Sequence, residues 1–359
     1  MLLAVTFAVM FVPQNSGSGY WNVGAWYGYL LRYDAGWYLT ILKHGYTYDG
    51  NDAAEHPVAF FPLYPLSCKL ATLLGVDTNF SLVLVSNLAI LVAIPLTYKL
   101  ISDHYSKETA LCTVALLSFF PTSLFFSAGY AESLSLLLII SFFLLLGKER
   151  YLLAAACAGL AHAARPTSIV LFLPLAWALW RRFSHEPWRL VLSLGAYAII
   201  ATSGLWLYML YLWVAFGKPL AFASALGGWA PRWRMSLLEV LTLRPFEFLG
   251  EVWKTGLHPN SLDPWFFLLF VALIAIFWKR LPTSFALFAA GSCLLPYLTR
   301  SGTWGFMSFT RYILLIFPAF AIAGELLKRS VGLSLTVTGL LAAMLFMYTV
   351  MFAQWYWVG

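Results

Sequence analysis

The chain alternates between long apolar runs and short polar joins. The runs lie near 1–12, 82–101, 109–120, 131–147, 151–164, 167–182, 190–214, 265–278, 283–298, 312–327 and 331–352. None shows the two-residue alternation of a strand. Backbone groups in lipid must be satisfied within their own segment, so such runs predict helices. Several reach or approach the ~20 residues that cross a hydrocarbon core. The pattern predicts an all-α integral membrane protein, a multi-pass bundle of about eleven segments. Runs 109–120 and 151–164 are too short to span upright. Each ends at a proline break, Phe120-Pro121-Thr122 and Arg165-Pro166-Thr167. Broken helices at membrane depth are tolerated where they line a cavity.

Two polar stretches are long, 13–81 and 215–264, and alternating segments put both on one side. The opposite side has short joins with basic residues: Lys148 and Arg150, Arg181 and Arg182, Lys279 and Arg280, Lys328 and Arg329. That asymmetry predicts a cytoplasmic short-loop side and two extracytoplasmic loops. Residues 1–359 read as a single polytopic domain. Both long loops are rich in Trp, Tyr and Phe. Segments 34–45 and 235–257 interleave apolar and charged residues in a way that suits helices lying in the interface plane. Residues 1–12 have no charged leader and no small-residue cleavage site, so a short first membrane helix is expected rather than a signal peptide. No internal or inverted repeat of the transporter kind is visible.

Composition narrows the class. Charged residues make up 10% of the chain and apolar ones 61%. A soluble domain carries about 25% charged residues and uses them to cover its surface. The net charge of +7 sits between the apolar runs, so topology and anionic lipid explain it, and no nucleic acid partner is expected. Four isolated cysteines make neither a disulfide framework nor a zinc site. No P-loop, dinucleotide fingerprint, GxSxG or HExxH occurs, nor any soluble domain of nucleotide-sugar-binding size.

Candidate chemistry gathers at the predicted outer side. The first long loop holds Arg32-Tyr33-Asp34-Ala35-Gly36-Trp37-Tyr38, then Lys43-His44, then His56 to Pro65 with Tyr64. A carboxylate among aromatics at a membrane surface is a candidate general base. The bland alternative is that Asp34 merely caps a helix. Arg165, Arg300 and Arg311 sit at outer helix ends, where positive charge is disfavoured. Arginine's planar fork suits bidentate contact with a lipid phosphate. Otherwise these arginines snorkel or pair with Glu132, which opens an apolar helix after Tyr130 and is itself notable at membrane depth. Tyr130, Tyr312, Trp37 and Tyr64 are candidate substrate-lining aromatics. No metal cofactor is inferred, although Asp49, Asp52 and Glu55 leave a divalent cation open.

These residues resemble a known family. Tyr33 to Tyr38, Lys43-His44-Gly45-Tyr46 and Ala59 to Pro65 are similar to the first luminal loop of the PIG-V-type mannosyltransferases. Phe120-Pro121-Thr122, Tyr130-Ala131-Glu132-Ser133, Ala164-Arg165-Pro166-Thr167, Arg311-Tyr312 and Pro318 then follow in the family's order. The likeness runs from Asp34 to Pro318. It implies a GT-C fold with the active site on the extracytoplasmic face. It also implies a polyprenyl- or dolichyl-phosphate sugar donor, mannose by type, and a lipid or glycan acceptor. Asp34 matches the acidic residue assigned as catalytic in the first loop. The mechanism expected is a single inverting displacement. In it Asp34 takes the acceptor's proton, Arg165, Arg300 and Arg311 hold the phosphate, Glu132 orients Asp34 or a basic partner, and Lys43, His44 and His56 contact acceptor or donor. The short joins suit a prokaryotic cell membrane. A flippase of lipid-linked sugars, or a non-catalytic subunit, are the alternatives.

Overall fold

A computed structural model of the chain describes residues 1–15, 24–229, 238–239, 262–300 and 308–358, without the side chains of Trp229 and Arg300. The described residues form helices and connecting turns, with no strand among them. In order the α-helices are α1 (Leu2–Phe11), α2 (Asp34–His44), α3 (Leu63–Leu73), α4 (Thr78–Ser102), α5 (Lys107–Phe119), α6 (Glu132–Gly147), α7 (Tyr151–Ala164) and α8 (Phe172–Phe183). They continue as α9 (Pro187–Ala201), α10 (Ser203–Phe216), α11 (Ala221–Trp229), α12 (Asp263–Phe277), α13 (Thr283–Arg300), α14 (Phe309–Ile313), α15 (Phe317–Leu327) and α16 (Val331–Ala353).

Every apolar run of the sequence falls mainly on helix, but three are split where one helix was expected. The run 167–182 opens as a 3₁₀ turn, Pro166–Leu171, before α8. The run 190–214 is α9 and α10, bent by 55° at Thr202. The run 312–327 breaks before Pro318, so that α14 is a single turn separate from α15. By length and hydropathy α4 and α16 can each cross a membrane, and the bent pair α9 and α10 is a third if it counts as one span. The helices α1, α6, α7, α13 and α15 are apolar but shorter. Eleven helical runs are therefore present, while eleven complete spans are not established by helix length. The interfacial helix expected over 235–257 lies outside the described residues except at 238–239.

The helix ends follow from local chemistry. Asp77 and Ser106 cap α4 and α5, their side chains accepting the Phe80 and Thr109 N–H groups. The residue before a proline is pushed out of helical backbone. Phe120 and Arg165, each preceding proline, are accordingly extended (ψ 142° and 131°) and end α5 and α7. A short 3₁₀ turn follows each, Pro121–Phe126 and Pro166–Leu171.

Two apolar cores hold the bundle. The larger gathers α4 to α8 and α12 to α15 around side chains such as Phe143, Phe285 and Phe317. The smaller joins α1, α2, α3 and the start of α4 to the end of α16, around Tyr64, Phe125, Tyr130 and Phe352. A third cluster packs Val58 and Phe61 of the first loop on Tyr208 of α10 and Ala221 of α11. Helices α7 and α10 touch backbone to backbone at Gly159 and Gly204, where a Cβ on Gly204 would strike the Gly159 carbonyl and the Ala163 nitrogen. Small residues of this kind let helices approach closely without side chains between them.

Candidate active site

Four charged side chains, far apart in sequence, meet at the seam between the two main cores. Arg311 of α14 donates from Nη1 to Asp34 Oδ2 at 3.0 Å, and from Nε and Nη2 to Glu132 Oε1 at 3.1 and 2.9 Å. Arg165 Nη1 donates to the same Glu132 oxygen at 2.5 Å. Two carboxylates therefore face two guanidinium groups, and the formal charges cancel. Exposure is graded: Glu132 is 1% exposed, both arginines 12% and Asp34 26%. The outward end of the network is Asp34. Its second oxygen, Oδ1, accepts no bond among the described residues.

Aromatic rings surround these charges. The Arg311 guanidinium lies over Phe125, Tyr130 and Trp357 at 4.7, 4.9 and 5.4 Å, and Arg165 lies over Tyr312 at 5.4 Å. Ring faces favour cations, most of all where water is scarce. They offset part of the cost of removing the arginines from water.

Each charge is placed by identifiable backbone. Asp34 opens α2 directly after Tyr33, which holds a positive φ of 53°. Non-glycine residues rarely adopt that region, and when they do the surroundings enforce it. Here the Tyr130 hydroxyl accepts the Asp34 N–H at 3.3 Å and donates to the Arg32 carbonyl at 3.0 Å, pinning the turn on both sides of Tyr33. The carboxylate of Asp34 makes no capping bond to its own helix, so the capping alternative is not realised. Arg165 is turned toward Glu132 by the extended backbone that Pro166 imposes. Arg311 rides on a one-turn helix that directly follows Ser308, also at positive φ (66°). Asp263, fully buried at the start of α12, accepts the Phe309 N–H at 3.1 Å and the Thr310 hydroxyl at 2.7 Å. Thr122 donates to the Thr310 carbonyl at 3.0 Å.

The other expected site residues fall in several places. Arg165 and Arg311 both pair with Glu132, one of the arrangements the sequence left open. The Arg300 side chain and residues 301–307 lie outside the described residues. Tyr130 and Tyr64 are both fully buried. The Tyr64 hydroxyl donates to the Leu82 carbonyl and lies 2.8 Å from Ser86 Oγ, beneath Tyr38 rather than beside open space. Trp37 and Tyr312 are partly exposed, and Trp37 stacks on Phe60. The buried stripe of α2 includes Ala35, Tyr38, Leu39 and Leu42, which leaves Trp37 off that face. Lys43 and His44 are exposed at the far end of α2 from Asp34. His56 is buried against the Asn51 carbonyl and Asp49, where it braces the loop. Asp52 bonds Lys218 Nζ at 2.8 Å and also the Tyr48 hydroxyl. Sequence reasoning missed Asp263; the one signal available was an acidic residue directly before an apolar run.

The site is thus a polar seam at one end of a bundle of apolar helices, of the kind a membrane protein presents at its surface. Comparison with known proteins is specific. Residues 15–186 match the family described as Mannosyltransferase (PIG-V), a stretch that includes Asp34, Glu132 and Arg165. GPI alpha-1,6-mannosyltransferase 2 of Mus musculus is 28% identical over 256 residues, covering 66% of this chain and 49% of that protein. Its Rattus norvegicus counterpart is 33% identical over 138 residues, 35% of this chain and 27% of that one. The chain spans about half the mouse protein's length and less of the rat protein's. Among solved structures, the Archaeoglobus fulgidus oligosaccharyltransferase tethered with an acceptor peptide aligns at TM-score 0.45 and 12% identity, over all of this chain and 54% of that one. By these matches the chain is similar to proteins of the PIG-V type, most directly over residues 15–186.

Proposed function

We propose that this chain is a membrane-embedded inverting glycosyltransferase of GT-C type. It moves a hexose, mannose by family, from a polyprenyl- or dolichyl-phosphate donor to a lipid or glycan acceptor on the extracytoplasmic face of a multi-pass membrane domain. One observation carries the reading: Asp34 is the exposed end of an otherwise buried ion network, with one carboxylate oxygen held by Arg311 and the other open.

The chemistry follows from that arrangement. The open Oδ1 of Asp34 accepts the proton of the acceptor hydroxyl as its oxygen attacks the anomeric carbon. The bond from that carbon to the phosphate oxygen breaks, and the phosphate leaves with the electron pair. The Arg165 side chain makes one hydrogen bond among the described residues, to Glu132, so most of its guanidinium donors are open to that phosphate. Arg311 uses all three nitrogens on the two carboxylates. Its part is to hold Asp34 in place rather than to grip the donor. Glu132 orients both arginines.

The test is transfer of radiolabelled polyprenyl-phosphate-mannose to an extract of acceptor lipids by purified protein in lipid. General-base catalysis contributes about 10²–10⁴-fold, so Asp34→Asn should lower kcat by that order with folding intact. Transfer by Asp34→Asn at the wild-type rate would refute the assigned role. Binding of the lipid without transfer from any sugar donor would favour the flippase reading instead.

A further inference from the structure

The segment Gln354 to Val358, after α16, carries no charge, yet it reaches the ion network. Helix α16 ends in a hydrogen-bonded reversal. The Tyr356 N–H donates to the Met351 carbonyl at 2.9 Å, and the Trp355 N–H to the Phe352 carbonyl at 3.1 Å. The residue at the turning point of such a cap has positive φ and is usually glycine. Here it is Trp355, at φ 64°. A non-glycine residue persists in that region only where its surroundings enforce it, and such positions gather at functional sites. Among the described residues four non-glycine positions have positive φ, and three of them, Tyr33, Ser308 and Trp355, border this network.

What enforces the reversal is the turn that carries Asp34. Arg32 Nε donates to the Ala353 carbonyl at 3.2 Å, and the Arg32 guanidinium lies over the Trp355 ring at 4.7 Å. The Tyr33 ring meets Phe352, Trp355 and Trp357 at 5.8, 5.3 and 4.9 Å. Trp357 also lies against Arg311, 5.4 Å from the guanidinium carbon. It therefore touches both the residue before Asp34 and the cation that holds Asp34. The indole N–H groups of Trp355 and Trp357 are buried with no hydrogen-bond partner among the described residues. A buried donor left unpaired is costly, and a phenylalanine ring would carry no such donor. Tryptophan presents the best ring face for a cation, and at both positions that face meets an arginine.

We infer that Trp357 is a positioning residue for glycosyl transfer: packed on Tyr33 and Arg311, it fixes the guanidinium plane so that Arg311 meets Asp34 and Glu132 together. Arg311 makes three hydrogen bonds to two carboxylates from one planar group. A tilt of that plane weakens at least one of them, because the fork is rigid. The bond at risk is the one to Asp34, since Glu132 is held by two of the three and by Arg165 as well. Asp34 then swings, and its open oxygen no longer points steadily at the acceptor. This role presupposes the transferase reading above, and it adds to that reading the ring that keeps Asp34 and its arginine in register.

The experiment measures transfer from radiolabelled polyprenyl-phosphate-mannose by the full chain in lipid nanodiscs. Trp357→Leu should lower kcat about 10²-fold, the loss that a small misplacement of a reacting group brings, with the KM for the donor unchanged. Trp357→Phe keeps a ring face and should recover most of that loss. In an Asp34→Asn background, Trp357→Leu should reduce the residual transfer little further, because both changes act on the same step. Losses that multiply, a phenylalanine no better than leucine, or wild-type transfer by Trp357→Leu would each overturn the inference. A second readout needs no turnover. With fluorotryptophan incorporated, the fluorine resonance of Trp357, identified by its absence in Trp357→Phe, should move in Arg311→Lys. An unmoved resonance would mean that the ring does not hold Arg311, and the inference fails whatever the transfer rates. A resonance that moves in a protein that transfers no sugar from any donor would uphold the contact while the transferase reading fails.

Discussion

At the scale of the residue, Glu132 is the most demanding position. One buried carboxylate balances two guanidinium groups. Removing one partner of a buried ion pair leaves an uncompensated charge and typically costs about 3–5 kcal/mol. Glu132→Ala should therefore lower the unfolding midpoint of the purified protein sharply, more than Asp34→Asn does. Asp34 is more exposed, and Arg311 keeps Glu132 when Asp34 is changed. Thermal unfolding of both variants in the same detergent checks this, and a Glu132→Ala protein as stable as wild type would contradict it. Arg165 makes the opposite case. Arg165→Lys keeps a charge but loses the fork, so transfer should fall while stability changes little.

At the scale of the element, the turn that carries Arg311 is held from outside itself. A helix of five residues has almost no stability of its own. Asp263 and Thr122, from two other parts of the chain, supply the missing partners. An acceptor removed from a buried N–H costs about 1–3 kcal/mol. Asp263→Ala should both destabilise the protein and reduce transfer, because Arg311 no longer meets Asp34 and Glu132 squarely. Thr122→Val should act in the same direction by about 1 kcal/mol. Side-by-side unfolding and transfer measurements distinguish the two magnitudes. If Asp263→Ala leaves transfer unchanged, the turn is held by something else. The contact of α7 with α10 is a second element-scale constraint, since Gly204 leaves no room for a side chain at the helix crossing.

At the scale of the whole molecule, the two long loops are latched together. Lys218, after α10, binds Asp52 and Tyr48 of the first loop, and Gly227 and Gly228 of α11 sit against the backbone of Asp52 and Ala54. Hydrogen bonds from Lys218 and then Tyr48 hold the Asp52 carboxyl below its usual range. A depressed folded-state value means that the latch is fully made above the ordinary carboxylate range and is lost as pH falls through the lower, folded value. The pair is solvent-exposed, so the effect is small and salt-screened. Limited proteolysis near residues 49–56 should be faster for Lys218→Met than for wild type at neutral pH, and should rise for wild type on acidification. Equal rates at every pH would show that apolar packing of Val58 and Phe61 alone holds the loop.

Much was legible before any folding. Apolar runs without alternation required helices, because lipid leaves the backbone no other partner. The prolines at 121 and 166 announced the breaks, and Asp34, Glu132, Arg165 and Arg311 stood out as charges where charge is expensive. What one dimension could not contain was their pairing: Asp34 and Arg311 are 277 residues apart. Whether the arginines gripped a phosphate or a carboxylate depended on which helix ends became neighbours. The same holds for Tyr64, whose aromatic ring suited a substrate but whose hydroxyl found Ser86, and for Asp263, whose importance exists only through the turn it holds. Periodicity and solvent preference act locally and so are written along the chain. Charge compensation and backbone satisfaction act through space, and only the packing of α2, α6, α12 and α14 decided them.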